Sequence, residues 1–300
     1  MQNERRFRHV AVFKGGSSEE REVSLRSGAA VARGLREAGY AVTEVDVQGD
    51  AAPMPEEADA VFIALHGCFG EDGGVQALLD ERRIPYTGSG AAASRAAMDK
   101  RITRARMAAA GIPVPEGVLV QNRQAPCPLP FPVVVKPPSQ GSSLGCHVVQ
   151  DSGAWTPALD DALRYENDAL VERFIAGREL TVGVVGDEVL PVIEIIAKGG
   201  TYDYRAKYIP GHTRYLTPAP LSVPCANEVQ ALARAVFVAL GARGFGRIDF
   251  RLDSEGRPFV LELNTIPGFT ETSLLPKAAA SAGIAFSRLC ERILNLAQFG

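Results

Sequence analysis

A predicted β-hairpin near the carboxyl end of the chain constrains the fold more than any other segment. Two runs rich in Val, Phe, Ile and Leu, Gly246–Asp253 and Pro258–Asn264, flank the polar turn sequence Ser254–Arg257. Exposed strands seldom carry so many large apolar side chains together, so we expect the hairpin to belong to a sheet that covers a core.

The four-residue turn sets the register of this hairpin. The register assumed here pairs Asp253 with Pro258 next to the turn. It places Asp249 opposite Glu262, and because side chains alternate along a strand, the two carboxylates point to one face. Facing carboxylates repel each other and are costly to bury unless a cation lies between them. The register therefore predicts a cation site, and the alternative is a solvated hairpin with a cross-strand charge pattern.

Continuing the same register adds two more polar side chains to this face. Arg247 is expected opposite Asn264, and both share the face of the carboxylates. An all-oxygen set of Asp, Glu and Asn suits Mg²⁺, which takes few protein ligands and leaves coordination positions for phosphate oxygens. Arg247 would be placed to clamp a carboxylate or a developing negative charge.

Composition excludes several classes of protein. The chain has 300 residues, enough for two or three compact domains, and 46% of them are hydrophobic. The net charge of −3 indicates no basic surface for nucleic acid or anionic membrane, and no apolar run has transmembrane length. Five widely spaced cysteines without a C-x-x-C pair, and no signal-peptide core, are typical of a cytoplasmic protein. The four dispersed histidines argue against a zinc site.

The amino-terminal part alternates short apolar strands with glycine loops and helices. Strands are predicted at His9–Phe13, Ala41–Val47 and Ala60–Leu65, and a helix from about Glu20 to Ala38. This order is typical of an open parallel α/β sheet, in which ligands bind at the carboxyl ends of the strands. A dehydrogenase is not indicated, because the G-x-G-x-x-G dinucleotide fingerprint is absent.

The remainder predicts mixed helices and antiparallel strands after a boundary at 87–93. The predicted helices are Asp99–Ala110, Trp155–Tyr165, Asn227–Leu240 and Ala285–Ala297, and the strands are Val133–Lys136, Cys146–Val149, Ala169–Phe174, Arg178–Val185 and Val189–Ile195. The stretch 198–222 has no clear periodicity, and a loop of that length in a compact protein is typically a lid or a binding loop.

Two segments of the middle part have the chemistry of a nucleotide site. Lys136 ends an apolar strand and precedes a Gly/Ser loop, 139–145, whose backbone amides could face phosphate oxygens; a plain β-turn is nearly as common. Glu172 and Glu179 flank an apolar pair and a glycine turn, and such carboxylates can contact an adenine edge or ribose hydroxyls. A charged strand–turn–strand is the alternative for this second segment.

Three side chains lie next to the amino-terminal glycine loops. Glu20 is near the start of the first helix, where a carboxylate interacts favourably with the helix dipole, and it could also hold a substrate ammonium. His66 could carry a proton, although a histidine at the edge of a core is more often only hydrogen-bonded. Asp72 is expected to cap the next helix.

Taken together, these segments resemble the D-alanine–D-alanine ligase family of the ATP-grasp superfamily. The match covers nearly the whole chain in the family's order. Its segments are GGSSEEREVSL (15–25), HGCFGEDGGVQ (66–76), MDK (98–100), VVKPPSQGSSLG (134–145), VERFIAGRELTV (171–182), YDYRAKY (202–208), GRIDF (246–250) and LELNTIPGFTETSLLP (261–276).

The resemblance implies an α/β, partly α+β, ATP-grasp fold with three domains. An amino-terminal Rossmann-like domain with a parallel sheet, residues 1–90, would hold the first D-alanine. A central α+β subdomain, 91–177, and a carboxyl-terminal α+β subdomain, 178–300, would clamp ATP between them. The last would contain the metal site and a lid loop at about 198–222.

The resemblance also implies which side chains contact metal and ATP. The metal ligands would be Asp249, Glu262 and Asn264, the same set that the hairpin register predicts. The metal would be Mg²⁺, as two ions, or Mn²⁺, and ATP would be the co-substrate. The implied ATP-binding residues are Lys100, Lys136, Ser142, Glu172, Phe174, Ile175, Glu179, Lys207 and Asn264.

The first D-alanine has its own implied set of residues. Glu20 and His66 would position this substrate. Arg247 and the backbone amide of Gly268 would stabilise the tetrahedral oxyanion that forms when its carboxyl carbon is attacked.

The second D-alanine and the lid complete the implied site. Ser273 and Leu274 would bind the carboxylate of the second D-alanine. Glu20, Ser142 and Tyr208 resemble the hydrogen-bonded trio that orders the lid in this family. The phenol of Tyr208 favours an amine as second substrate, so the expected product is D-Ala-D-Ala rather than D-Ala-D-lactate.

The implied function is ATP-dependent ligation of two D-alanine molecules through a D-alanyl phosphate, for peptidoglycan precursor synthesis in the cytoplasm. A carboxylate does not accept an amine at neutral pH, whereas an acyl phosphate does, and catalysis is then mainly positioning and charge neutralisation. D-alanine and ATP are the expected partners, without nucleic acid or membrane. A homodimer is expected because dimers are usual in the resembled family.

Alternatives from two classes remain open at this point. Another ATP-grasp carboxylate–amine ligase would share Lys136, Asp249 and Glu262 but would not explain the HGCFGEDG segment. A D-Ala-D-lactate or D-Ala-D-Ser ligase would share nearly every motif. A nucleotide-binding protein without turnover is disfavoured, because none of the implied catalytic positions is substituted.

Overall fold

The fold consists of three sheets that follow one another along the chain. A computed structural model describes residues 5–49, 51–141, 144–199 and 211–300. The first sheet is parallel and the other two are antiparallel, which confirms the predicted α/β class with α+β parts. Within the described ranges, no helix is both long enough and apolar enough to cross a membrane.

The amino-terminal sheet is the parallel one. Its elements are β1 (His9–Gly15), α1 (Arg21–Glu37), β2 (Ala41–Val47), β3 (Ala60–Ile63) and α2 (Gly74–Glu81). The strand order is β2-β1-β3, and every residue of the apolar strand β3 is buried. Because the strands run in the same direction, the glycine loops after β1 and β3 meet at one edge of the sheet.

The middle part begins with two consecutive helices and continues into an antiparallel sheet. Its elements are α3 (Ala91–Met98), α4 (Lys100–Ala109), β4 (Gly117–Val120), β5 (Val133–Lys136), β6 (His147–Val149), α5 (Trp155–Ala162) and β7 (Ala169–Arg173). The strand order is β4-β7-β5-β6. Helix α3 begins within the stretch 87–93 that is predicted as a boundary, because the alanine-rich sequence after Gly90 favours a helix. Asp99 separates the two helices and caps α4 by accepting the Arg101 N–H at 2.8 Å.

The carboxyl-terminal part contains the largest sheet. Its elements are β8 (Arg178–Val185), β9 (Glu188–Val189), β10 (Ile193–Ala197), β11 (Thr213–Leu216), α6 (Val223–Ala239), β12 (Phe245–Leu252), β13 (Pro258–Asn264), α7 (Leu274–Ser281) and α8 (Phe286–Asn295). The strand order is β11-β10-β8-β12-β13, with β9 paired to β8. The predicted hairpin is therefore confirmed as β12 and β13, at one end of this sheet.

The stretch 198–222 is less irregular than its sequence predicts. Strand β11 lies within it and pairs with β10, with Tyr215 opposite Ile195. The start of α6 is also earlier than predicted, because Ser222 accepts the Cys225 N–H and caps the helix. Residues 200–210, which include most of the predicted lid, lie outside the described residues.

Packed phenylalanines join the first and last sheets into one core. Phe269, in the loop before α7, packs edge-on against Phe62 of β3 at 5.7 Å between ring centroids and against Phe245 of β12 at 5.8 Å. All three rings are buried. This packing holds the loop before α7 next to the ends of β3 and β12, and so brings residues from distant parts of the chain to one place.

Candidate active site

The predicted pairing of the two acids is confirmed. Asp249 lies opposite Glu262, and Arg247 lies opposite Asn264. The register near the turn is wrong, however, because Pro258 faces Leu252 rather than Asp253. A β-bulge after Asp249 absorbs one extra residue of β13 and so restores the predicted pairing at the site.

The turn is one residue longer than predicted because Asp253 belongs to it. The Asp253 carboxylate accepts the backbone N–H groups of Glu255 and Arg257, both at 2.9 Å, and the Arg257 guanidinium at 2.8 Å. A side chain that folds back on its own turn in this way ends the strand one residue earlier.

Asp249 and Glu262 lie on one face of the carboxyl-terminal sheet, which we call the site face. Polar side chains on this face form a connected network around Asp249. Arg247 donates to both of its carboxylate oxygens, at 2.9 and 2.7 Å, and the Thr181 hydroxyl donates at 2.6 Å. The Asn264 amide nitrogen donates at 3.0 Å, which turns its amide oxygen away from that carboxylate. These charge-assisted bonds stabilise the ionised form of Asp249.

The oxygen atoms at the rung of the sheet where Asp249 pairs with Glu262 are of the kind that bind a hard divalent cation. Asp249 and Glu262 are cross-strand neighbours and Asn264 follows on the same face, so oxygen ligands come from two adjacent strands. In the part of the chain that the structure describes, no three His, Cys, Asp or Glu side chains gather into a metal cluster. Two carboxylates and an amide instead suit Mg²⁺ or Mn²⁺ that takes its other ligands from phosphate and water.

Buried lysines lie next to these acids. The Lys100 ammonium is 3.9 Å from a Glu262 carboxylate oxygen and donates to the Gln140 carbonyl, in the Gly/Ser loop, at 2.8 Å. Lys136 pairs with Glu172 at 2.5 Å. Burial lowers the pKa of Lys100. Burial also acts to lower the pKa of Lys136, but Glu172 and other neighbouring groups together outweigh it, and the pKa rises.

The predicted adenosine segment connects β7 with β8. The Glu172 carboxylate, 3% exposed, is held between Lys136 and Arg104, a residue of α4 that the sequence analysis misses. Phe174 and Ile175 follow directly.

The two amino-terminal glycine loops are tied together at the other end of the site. The Ser18 hydroxyl donates to the His66 carbonyl at 2.7 Å, and Gly67 packs so close that an added Cβ would lie 2.7 Å from Ser18. The His66 ring contacts the Ser27 hydroxyl at 3.3 Å, and burial lowers its pKa, so the imidazole is neutral. The hydroxyl of Ser27 also accepts the Phe269 N–H at 3.1 Å.

The acidic residues of these loops have different roles. The predicted cap is wrong in position because Gly73 is the N-cap of α2, although the Asp72 carboxylate accepts the Gly74 N–H at 2.9 Å. Glu71 is missed by the sequence analysis, although it lies in the HGCFGEDG motif. It accepts the Gly67 N–H at 2.7 Å, and burial together with the charge of Glu20 raises its pKa to about 8.

The amino terminus of α7 closes the site. Ser273 occupies the N-cap position, just before α7 begins at Leu274. Its hydroxyl makes no hydrogen bond to the helix and accepts the Thr270 N–H at 3.0 Å instead. Gly268 lies so near that an added Cβ would be 3.3 Å from the Ser273 oxygen. The first backbone amides of α7 and the hydroxyl of Ser273 are therefore placed to bind an anion.

A cavity of about 670 Å³ brings most predicted site residues together. The predicted residues that line it are Glu20, His66, Lys100, Arg247, Glu262, Asn264, Gly268, Ser273 and Leu274. The predicted residues that do not line it are Lys136, Glu172, Phe174, Ile175, Glu179 and Asp249. Ser142, Lys207 and Tyr208 lie outside the described residues.

Comparisons with known proteins give one consistent result. Residues 108–295 match the family model of the D-ala D-ala ligase C-terminus, and residues 47–89 match that of the N-terminus. The D-alanine–D-alanine ligase of Syntrophotalea carbinolica is 48% identical to this chain, over an alignment that covers 95% of this chain and 94% of the relative. That of Methylacidiphilum infernorum is 44% identical, covering 96% and 95%.

Solved structures agree with the sequence relatives. The D-alanine–D-alanine ligase of Bacillus anthracis has a TM-score of 0.84 at 31% identity, covering 96% of this chain and 97% of that one. The VanG D-Ala:D-Ser ligase of Enterococcus faecalis has a TM-score of 0.85 at 27% identity, covering 96% and 99%.

Proposed function

Because this chain belongs to the D-alanine–D-alanine ligase family, we propose that it joins two molecules of D-alanine and converts ATP to ADP and phosphate. The product, D-alanyl-D-alanine, serves peptidoglycan precursor synthesis. The observation that carries the proposal is the rung on which Asp249 faces Glu262, with Arg247 and Asn264 on the next rung of the same face.

The reaction has two chemical steps. A carboxylate oxygen of the first D-alanine attacks the γ-phosphorus of ATP, and the bond from that phosphorus to ADP breaks. The amine of the second D-alanine, after losing a proton, attacks the carbonyl carbon of the resulting D-alanyl phosphate. Phosphate leaves as the peptide bond forms, and both steps depend on positioning and on neutralisation of phosphate charge.

The metal and the lysines would serve the phosphate end. Asp249, Glu262 and Asn264 would hold the divalent metal, which we take to be two Mg²⁺ ions, replaceable by Mn²⁺. When bound, the metal neutralises the charge of the phosphate oxygens. Lys100 and Lys136 would contact the same phosphates from the Gly/Ser-loop side, a proposal supported by the ion pairs of Lys100 with Glu262 and of Lys136 with Glu172.

The amino acids would bind between the glycine loops and α7. Glu20 and His66 would position the first D-alanine, with the neutral His66 imidazole fixed by Ser27. Arg247 and the Gly268 amide would stabilise the tetrahedral oxyanion. The other substrate carboxylate would bind at the amino terminus of α7.

The adenosine and lid assignments complete the proposal. Glu172, Phe174, Ile175 and Glu179 would hold adenosine. Ser142, Lys207 and Tyr208 stay predictions, as does the lid at about 198–222 that would keep water from the acyl phosphate. Ser273 and Leu274 would supply the second-substrate contacts described above.

The three sheets would correspond to three domains. We assign them to residues 1–90, 91–177 and 178–300, with ATP between the second and the third. We further propose a cytoplasmic homodimer, because that is the expectation from the family.

D-serine is the alternative second substrate, because one of the similar structures is a D-Ala:D-Ser ligase. The two functions share the first half-reaction and differ in which amine attacks the D-alanyl phosphate. They therefore predict the same need for ATP and D-alanine but different products.

A coupled ADP-release assay with Mg-ATP tests the function. D-alanine alone is expected to support release and to give D-alanyl-D-alanine, whereas L-alanine is expected to support none. D-serine and D-lactate, each added with D-alanine, are expected to give minor products. No ADP release with D-alanine would refute the ligase proposal, and a predominant mixed product would favour the alternative.

A further inference from the structure

The site face of the carboxyl-terminal sheet has a third rung beyond the two already described. Strands β8, β12 and β13 present one residue each per rung, and β12 contributes every second residue. The rungs are Gly183 with Arg247 and Asn264, then Thr181 with Asp249 and Glu262, then Glu179 with Arg251 and Phe259. Arg251 therefore shares the face of Arg247 and Asp249, on the side toward the segment assigned to adenosine.

The side chain of Arg251 is buried among acceptors of that segment. It is 9% exposed. Its Nε donates to the Ile175 carbonyl at 3.0 Å, one terminal nitrogen donates to the Gly177 carbonyl at 3.1 Å, and the other donates to Glu179 at 3.1 Å. Its guanidinium also lies over the Phe174 ring, 5.4 Å from the centroid.

These contacts join one guanidinium to four residues of the same segment. The planar fork of Arg offers donors in several fixed directions, whereas a lysine ammonium is a single point charge. The segment itself passes close to the strand, because an added Cβ at Gly177, whose φ is +137°, would lie 2.0 Å from the Leu252 carbonyl oxygen. The segment therefore rests on β12, and Arg251 is the side chain that fixes its orientation there.

We propose that Arg251 is a positioning residue for the nucleotide. It holds the backbone at Ile175 and the carboxylate of Glu179 in the orientation that binds the base and the ribose. The proposal rests on the proposed function, since that function assigns Ile175 and Glu179 to adenosine. The guanidinium of Arg251 contacts residues assigned to adenosine and the glycine between them, so we expect its effect on the nucleotide rather than on D-alanine.

The test compares Arg251→Met with a matched control, Arg178→Met. Arg178 precedes Glu179 but pairs with Glu194, at 2.8 and 2.7 Å, and donates to the Pro220 carbonyl at 3.2 Å. Its loss therefore removes an ion pair but none of the contacts that Arg251 makes. Arg251→Met is expected to raise KM for ATP about tenfold, with kcat and KM for D-alanine changed less than about twofold. Arg178→Met is expected to leave KM for ATP within about twofold.

A truncated nucleotide separates positioning from general loosening of the fold. With 2′-deoxy-ATP, the parent enzyme loses the ribose hydroxyl that Glu179 would bind, and its KM is expected to rise several-fold. Arg251→Met is expected to show a smaller further rise, because the contact is already misplaced. Arg251→Lys, which keeps a charge in the buried position, is expected to be intermediate, and it carries the test if the Met variant does not fold.

Two results would overturn the proposal. One is an equal KM for ATP in Arg251→Met and Arg178→Met. The other is the same fold-increase with 2′-deoxy-ATP in Arg251→Met as in the parent enzyme. Failure of the proposed function would be seen separately, as absence of D-alanine-dependent ADP release in the parent enzyme before any variant is compared.

Discussion

Two pairs of acidic side chains, Asp249 with Glu262 and Glu20 with Glu71, differ in what surrounds them. Asp249 accepts two charge-assisted hydrogen bonds from Arg247, which favour its ionised form. Burial and the charge of Glu20 both oppose ionisation of Glu71 and raise its pKa to about 8. The first pair therefore includes a carboxylate bound by a guanidinium, whereas in the second pair burial and the charge of Glu20 favour the protonated form of Glu71 near neutral pH.

The largest effect is expected when the negative charge of Asp249 is removed. Asp249→Asn keeps the shape of the side chain but removes the charge that a metal requires. We expect kcat/KM for ligation to fall about 10³-fold or more, and the thermal midpoint to fall as well because the partly buried Arg247 guanidinium loses its charged partner. Glu255→Gln, in the exposed turn of the same hairpin, is the matched control and should retain full activity. An active Asp249→Asn enzyme would remove the distinction between the two pairs.

The next effect concerns the cation that faces Asp249. Arg247→Met removes the proposed oxyanion donor and leaves the carboxylate without its guanidinium partner. We expect kcat to fall about 10²-fold, with Arg247→Lys recovering only part of it because an ammonium lacks the planar fork that fixes a guanidinium on both carboxylate oxygens. Steady-state kinetics on both variants checks this. Equal kcat in Arg247→Met and the parent would mean that Arg247 serves Asp249 alone.

A smaller effect is expected when Glu71 of the second pair is replaced. The free energy of unfolding should then depend on pH differently from that of the parent protein. The pKa of Glu71 is raised from 4.5 to about 8, so between these values the folded protein binds a proton that the unfolded chain has lost. Stability therefore falls as pH rises through that window. Glu71→Gln cannot titrate but can still accept the Gly67 N–H, so it should gain about 1–2 kcal/mol relative to the parent between about pH 5 and pH 8.

Denaturant titrations of both proteins at the two pH values measure this gain. Asp72→Asn, next in the chain, is the control, and its difference from the parent should not change with pH in the same way. If the stability difference between Glu71→Gln and the parent were the same at both pH values, the carboxyl would not be held protonated.

The smallest effect belongs to a third acid of the hairpin. Asp253 binds only the backbone and Arg257 of its own turn. Asp253→Ala should lower the thermal midpoint by about 1–3 °C and leave kcat/KM unchanged. Differential scanning calorimetry and the ligation assay check the two halves of this prediction. A loss of activity would show that the turn affects the register at Asp249.

The hairpin shows how much of the site follows from sequence and where that reasoning ends. Alternation and turn chemistry are local, and they suffice to place Asp249 opposite Glu262. Yet the prediction succeeds because two errors cancel. The predicted turn is one residue too short, and the predicted strand lacks the bulge at Leu261, which alternation cannot reveal. The third rung was also accessible, because Arg251 follows Arg247 and Asp249 at the same spacing of two.

Other parts of the site depend on contacts that no local pattern contains. His66, Ser27 and Phe269 are joined by one hydroxyl, although they come from three distant segments. The pKa of Glu71 depends on Glu20, about fifty residues earlier in the chain. Elements such as α3 and α7 were missed because alanine-rich and proline-containing sequence lacks a clear apolar period.

Metal binding tests the central claim most directly. Mn²⁺ can be titrated into the protein in the presence of a non-hydrolysable ATP analogue and followed by electron paramagnetic resonance, without any turnover. The account predicts that Asp249→Asn and Glu262→Gln each weaken Mn²⁺ binding at least about tenfold relative to the parent, while Glu255→Gln leaves it unchanged. Equal Mn²⁺ affinity in the parent and both site variants would contradict the claim that these two acids meet across the hairpin to hold a metal.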